Sequence, residues 1–139
     1  LHPAGSLGAQ LKTVEDIMLT GNKIPFVNEN MQMNKALKIL SEKKLGILLI
    51  RNKKKNTIGI ITDGQIRRFS QKNENFQSLK VNKIMTKKPV SIEKNELAAK
   101  ALSIMNSKKI TSLCVYNKKY KSKTIGVVHI HNLLQSNIS

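Results

Sequence analysis

The sequence repeats itself, and a chain built from two copies of one unit has few ways to fold. Val14-Glu15-Asp16-Ile17-Met18 returns 67 residues later as Val81-Asn82-Lys83-Ile84-Met85, and the segments after it recur in the same order. Lys35-Ala36-Leu37 comes back as Lys100-Ala101-Leu102, Lys43-Lys44-Leu45 as Lys108-Lys109-Ile110, and Asn52-Lys53-Lys54 as Asn117-Lys118-Lys119, each 65 residues on. The offset reverts to 67 for Thr57-Ile58-Gly59 against Thr124-Ile125-Gly126, so each change is a two-residue difference in a loop. A unit of about 55 residues is too small to bury a good core alone. The copies are therefore expected to pack on each other about a pseudo-twofold axis, with a cleft at the seam as the ligand site.

At 139 residues the chain is expected to form one compact body of two half-domains, burying roughly two thirds of its unfolded surface. The longest strongly apolar runs, Ile47 to Ile50 and Ile58 to Ile61, fall far short of the roughly 20 residues that cross a bilayer. No charged-then-apolar signal segment opens the sequence. The expectation is a soluble, cytoplasmic protein with no membrane partner. The single cysteine, Cys114, lies in the run Leu113-Cys114-Val115 and reads as a buried thiol acting as a small hydrophobe, leaving no disulfide or zinc cluster.

A formal charge of +17 raises nucleic-acid binding, because basic stripes are its footprint. Against it, lysine supplies 22 of the 25 basic residues, and Lys, Ile and Asn together make 52 of the 139, the bias of a gene rich in A and T. Platforms for stacking single-stranded bases are scarce, since Phe26, Phe69, Phe76, Tyr116 and Tyr120 are scattered and tryptophan is absent. The densest lysines, Lys53 to Lys55 and Lys118 to Lys123, fall in the equivalent turn of both copies and read as solvated turns. Nucleic acid is not the expected partner.

Met33, Ala36, Leu37 and Leu40 stand at helical spacing behind Asn30, a candidate N-cap, and the run ends toward Gly46. Leu97, Ala98, Ala101, Leu102 and Met105 repeat the pattern behind Asn95 and end at Lys108-Lys109. Two β-branched runs come next in each copy, Ile47 to Ile50 with Thr57 to Thr62, and Leu113 to Tyr116 with Thr124 to Ile130; each pair predicts a hairpin. Short closing helices are expected from about Gly64 to Ser70 and His131 to Ser136, and leading strands near Pro25 to Val27 and Pro89 to Ile92. The fold class is thus α/β (α+β), a β-α-β-β-α unit used twice. The copies span residues 14–70 and 81–139, joined by a polar linker at 71–80; residues 1–13 lie outside the repeat.

The duplication, Ile84-Met85-Thr86-Lys87-Lys88-Pro89 and Gly59-Ile60-Ile61-Thr62-Asp63-Gly64 together resemble a tandem cystathionine-β-synthase (CBS) domain pair over about 125 residues. Three ordered strings narrow the resemblance: His2-Pro3-Ala4-Gly5-Ser6-Leu7-Gly8, then Thr62-Asp63-Gly64-Gln65-Ile66-Arg67-Arg68, then Gly126-Val127-Val128-His129-Ile130-His131-Asn132-Leu133-Leu134. In that order they are similar to the C-terminal half of the D-arabinose-5-phosphate isomerases, which join a sugar isomerase (SIS) domain to two CBS repeats. The resemblance implies that residues 1–13 are the end of the isomerase domain and its linker. It also makes His2 the family's active-site histidine. His2 lacks here the carboxylate and lysine partners that an aldose-ketose proton transfer needs, so these 139 residues are expected to carry no isomerase activity.

Thr62 ends a strand and opens a helix, where its hydroxyl and the first-turn amides suit an anion; it also suits a plain N-cap. Asp63 is the next residue. Arg67 and Arg68 are adjacent on that helix in a chain with only three arginines, which points to bidentate contact with phosphate or carboxylate, or to surface charge or a salt bridge. His129 stands where the first copy has Thr62, with His131 two residues on; continued as a strand, the two would face one way, for anion or substrate-domain contact, for metal, or for structure alone. A third metal ligand is not evident. CBS repeats that bind adenosine generally carry an acid three positions after the Thr, and this chain has Gln65 and Asn132 there. An amide is the weaker acceptor for ribose hydroxyls. Backbone at Lys44 to Gly46, and at Lys109, Ile110, Thr111 and Ser112, would wall each cleft.

The leading expectation is a regulatory module that senses a small anionic metabolite, a nucleotide or nucleotide sugar. Because the family makes arabinose 5-phosphate for 3-deoxy-D-manno-octulosonate (Kdo) and lipopolysaccharide, the effector is expected to be CMP-Kdo or an adenine or cytidine nucleotide, with no resident cofactor. Expected partners are its own N-terminal sugar isomerase domain and a second CBS pair, as a homodimer within a homotetramer. The alternative is an assembly module that binds nothing.

Overall fold

The computed structural model describes Leu7, Gly8 and residues 10–139; His2 lies outside them. The chain forms two compact units whose borders are offset from the sequence repeat: Asn22–Pro89 is one, and Leu1–Gly21 with Val90–Ser139 is the other.

The first-copy unit, Asn22–Pro89, holds a four-stranded sheet in the order β1-β2-β3-β4, formed by Phe26–Asn28, Ile47–Arg51, Thr57–Thr62 and Thr86–Lys87. β1 runs parallel to β2, which needs the crossover helix α2 (Met33–Lys43) between them. β2 and β3 form the expected antiparallel hairpin, with Ile47 opposite Thr62. Ile47 through Ile50 are all buried, so this strand reads as a continuous apolar run because both of its faces are covered. The helix α3 (Asp63–Lys72) closes the unit. β4 is not among the strands expected from the sequence; it adds a fourth strand beside β3, with Ile60 opposite Thr86.

The second-copy unit repeats the plan with β5 (Ser91–Glu93), α4 (Ala98–Lys108), β6 (Ser112–Tyr116), β7 (Thr124–His129) and α5 (Ile130–Gln135). Its sheet has the order β5-β6-β7, and Leu19 bridges Val127 at the position that β4 takes in the first copy. Cys114 is buried on β6, and burial pushes its thiol pKa up to about 12.

The leaders are exchanged. Val14, which opens the first copy, is fully buried in the second copy's core beside Ile92, Met105 and Leu113. Val81, its counterpart, is fully buried with Val27, Met33 and Ile50 of the first copy. The short helix α1 (Val14–Ile17) and the 3-10 turn Val81–Lys83 are equivalent pieces, each serving the other repeat.

That exchange explains why the candidate caps differ from those observed. α2 begins after Gln32 and α4 after Leu97, and neither residue makes a side-chain cap bond. The Met33 amide instead donates to the Leu79 carbonyl at 2.8 Å, and the Ala98 amide to the Lys12 carbonyl at 2.9 Å. These backbone acceptors from the exchanged leaders satisfy first-turn donors that a polar cap would otherwise take. Both helices end on lysines in the left-handed region, Lys44 at φ 60° and Lys109 at φ 56°.

The connection at 71–80 is packed rather than purely solvated. Phe76, 5% exposed, anchors the 3-10 turn Phe76–Ser78 in the first-copy core.

Candidate functional site

The two strand-to-helix junctions hold all the candidate residues within the described chain, five in one unit and seven in the other. At the first junction β3 ends on Thr62, whose hydroxyl accepts from the Gln65 amide at 3.3 Å. The Thr62 amide donates to Gln65 Oε1 at 3.0 Å, completing a reciprocal capping box. Gln65 Nε2 goes on to donate to Thr86 Oγ1 at 2.7 Å. Both ends of this amide are thus engaged in tying α3 to β3 and β4.

The Asp63 amide donates to the Gly46 carbonyl at 3.0 Å. Gly46 sits at φ +71°, and a Cβ there would meet Asp63 Oδ2 at 3.0 Å, so both backbone and space ask for glycine. Gly64 leaves a second opening: a Cβ on it would lie 3.3 Å from Arg68 Nη1 and 3.9 Å from Thr62 Oγ1. Arg68 therefore reaches back over the first turn of α3 to Gly64. Arg67, also exposed, is one residue around the helix. Neither arginine takes part in the ion pairs Lys94–Glu15 and Lys100–Glu96.

At the second junction Ser112 pairs with His129 across β6 and β7. His129 is the N-cap of α5: its Nδ1 accepts from the His131 amide at 3.1 Å, and its own amide donates to Asn132 Oδ1 at 2.9 Å. The strand stops at His129, so the expected strand spacing does not hold. The first turn of α5 instead folds His131 back, and the rings stack with centroids 4.7 Å apart. An Nδ1 that accepts belongs to a neutral ring with its proton on Nε2. Burial first, and the adjacent His131 second, lower the His129 pKa. No group of three His, Cys, Asp or Glu residues that could hold a metal ion occurs among the described residues.

The wall of this junction runs from exposed Lys109 through Ile110, whose amide donates to the Met105 carbonyl at 3.0 Å, and Thr111, whose carbonyl accepts from the Ile130 amide at 2.8 Å. It ends on Ser112, which is 7% exposed and whose Oγ has no hydrogen-bond partner. Thr111 itself is exposed.

The CBS domain profile matches residues 14–72 and again 81–138. The chain belongs to the CBS domain family. It is a tandem pair of CBS repeats, and it is similar to the arabinose 5-phosphate isomerase KdsD of Salmonella typhi, 35% identical over 138 residues. That match covers 99% of this chain and 41% of the relative, so the CBS pair spans about two fifths of the length of the curated protein it resembles. Among solved structures, CBSX2 in complex with AMP superposes with a TM-score of 0.76 at 22% identity, over 90% of this chain and 95% of that one. The CBS domain pair of protein MJ0100, in complex with 5-methylthioadenosine and S-adenosyl-L-methionine, gives 0.77 at 20% identity, over 90% and 94%. At these identities the superpositions establish the fold.

Arginine is as unusual at position 51 as at 67 and 68 in a chain that otherwise uses lysine, and the sequence signal that marks Arg67 and Arg68 marks Arg51 too. Arg51 ends β2 of the CBS pair, and its guanidinium carbon lies 3.6 Å from the centroid of the Phe26 ring. No helix among the described residues is long and apolar enough to cross a membrane.

Proposed function

We propose that this CBS pair is a regulatory module that binds a small anionic metabolite of the nucleotide or nucleotide-sugar class at its strand-to-helix junctions. Occupancy is passed to a sugar isomerase domain that converts D-ribulose 5-phosphate to D-arabinose 5-phosphate for Kdo and lipopolysaccharide synthesis. The observation that carries the reading is the buried, unpartnered hydroxyl of Ser112 beside the imidazole cap His129. A hydroxyl left unsatisfied in the interior costs about 1–3 kcal/mol, and a polar ligand at this junction would recover that cost. Arg68 over Gly64 supplies a cation in the first copy.

Fold-mates crystallised with AMP and with S-adenosyl-L-methionine support the ligand class. Gln65 and Asn132 are both committed to helix caps, which argues against a carboxylate-style grip on adenosine ribose; CMP-Kdo enters as a candidate effector because it lies downstream of arabinose 5-phosphate. The module itself is not catalytic in this reading, and it joins CBS pairs as dimers within a tetramer of isomerase chains. Thermal melts with CMP-Kdo, CMP, AMP, ATP and arabinose 5-phosphate test it. A ligand at a hundred times its Kd adds about 2.7 kcal/mol, roughly 5 to 12 °C for a domain of this size. A shift of that order for one compound identifies the effector, whereas no shift for any removes the sensor reading.

The second reading is an assembly module that binds no ligand. Leu97 and Leu134 favour it, being 47% and 54% exposed on the second-copy unit. It expects a stable dimer by sedimentation whose stability no nucleotide changes.

A further inference from the structure

We propose that the groove at the hairpin end of the first copy is a separate binding site for a small organic phosphate ester carrying a flat, apolar group. It is a cavity of about 330 Å³ whose walls include Phe26, Asn28, Met31, Arg51, Lys53 and Lys55, at the small end of ligand-sized pockets. Three cations and no carboxylate line it, an excess that suits a dianion better than a single negative charge. Phe26 and Met31 supply the apolar surface. Arg51 is already seated over the Phe26 ring at 3.6 Å, so the planar fork is oriented before an anion arrives and less side-chain entropy is lost on binding.

The second copy is an internal control. Sixty-five residues on, the same positions carry Ser91, Glu93, Glu96, Tyr116, Lys118 and Tyr120. Two carboxylates and two tyrosines stand where the first copy has Asn28, Met31, Arg51 and Lys55, yet β6 and β7 pair in the same register as β2 and β3. The hairpin therefore folds without this cation cluster. Solvated-turn chemistry accounts for Lys53 and Lys118, which occur in both copies. It does not account for Arg51, which occurs in one and takes part in neither the Lys94–Glu15 nor the Lys100–Glu96 ion pair.

The groove is distinct from the Thr62 junction of the same unit. Ile47 at one end of β2 pairs with Thr62, and Arg51 lies four residues along the strand, roughly 13 Å away.

Phenyl phosphate and inorganic phosphate, titrated separately into the 15N-labelled chain at low salt, test the assignment. Phenyl phosphate should give saturable shifts at the Phe26 and Met31 amides and the Arg51 side chain, at lower concentration than inorganic phosphate. Arg51→Gln should weaken it at least tenfold. Asn28→Glu should do the same by putting a carboxylate in the groove while keeping the turn: Asn28 Oδ1 accepts from the Asn30 amide as Glu93 Oε1 accepts from that of Asn95. Lys118→Gln, which removes one charge from the equivalent turn of the other copy, should change nothing. The proposal is overturned by no saturable shift, by equal affinity for the two phosphates, by wild-type binding in both groove variants, or by Lys118→Gln weakening binding as much as Lys53→Gln.

Discussion

His131 stacks on His129 with 24° between the ring planes, and its backbone amide donates to His129 Nδ1. An imidazole can cap a helix in this way only while Nδ1 keeps its lone pair, so protonation and capping exclude each other. Burial and the neighbouring ring hold the His129 pKa below its ordinary 6.5. The unfolded chain then binds the proton more tightly than the folded one. This contribution is fully present above pH 6.5 and is lost as pH falls from there toward the lower folded value. Thermal melts from about pH 5 to 7.5 should show Tm declining on the acid side. In His129→Asn, which retains an acceptor at the cap and does not titrate, that slope should flatten; equal slopes in both proteins would remove the cap from the explanation.

Two glycines are kept small by methionines of the exchanged leaders. A Cβ on Gly59 would lie 2.7 Å from Met85 Cγ and 2.9 Å from its Cβ; on Gly126 it would lie 2.9 Å from Met18 Cγ and 3.0 Å from the Leu19 carbonyl oxygen. Gly59→Ala and Gly126→Ala should each cost about 1–3 kcal/mol by overpacking, read from urea denaturation. Adding Met85→Ala should relieve only the part of the Gly59→Ala crowding that comes from the methionine beyond its Cβ, because alanine keeps the Cβ at 2.9 Å. Adding Met18→Ala should likewise relieve only part of the Gly126→Ala crowding, because the Leu19 carbonyl at 3.0 Å is held in a β-bridge with Val127.

Local pattern determines the part of the fold that is legible in the sequence. The β2–β3 and β6–β7 hairpins fall within a residue or so of their expected borders, because β-branched runs bounded by lysine and asparagine turns repeat at a fixed offset. Thr62 as an N-cap is equally local. Asn30 and Asn95 mislead because their amides close short turns onto Asn28 and Glu93, while the helix donors they would have capped reach carbonyls far along the chain. Phe76 hides among asparagines and glutamines. The histidine pair is brought together by a helix turn rather than by a strand, and the place of Arg51 depends on Phe26, which lies on the parallel neighbour β1.

The leader exchange itself predicts which core each valine supports. Val14 and Val81 are fully buried, and cutting either to alanine removes two methyl groups, costing about 2 kcal/mol once the cavity is included. Hydrogen exchange should localise the effect. Val14→Ala should speed exchange in β5 to β7 and α4, and Val81→Ala in β1 to β3 and α2. The opposite assignment would mean that each leader supports its own copy.

Ser112 separates a ligand site from a structural hydroxyl, because the two predict opposite pairs of effects. A serine that holds the fold loses stability when its hydroxyl is removed. The Ser112 hydroxyl is buried and makes no hydrogen bond, so Ser112→Ala should leave the unliganded chain as stable as before, or more stable by up to about 1–3 kcal/mol, through relief of an unpaired polar group. The same substitution should weaken the effector found in the melt screen by roughly tenfold, the loss of about 1.4 kcal/mol that one hydrogen bond to a ligand represents. Urea denaturation of the free protein and calorimetric titration of the effector read the two quantities independently. A variant that is destabilised yet binds normally would make Ser112 part of the scaffold and move the ligand away from the β6–β7 end of the second copy.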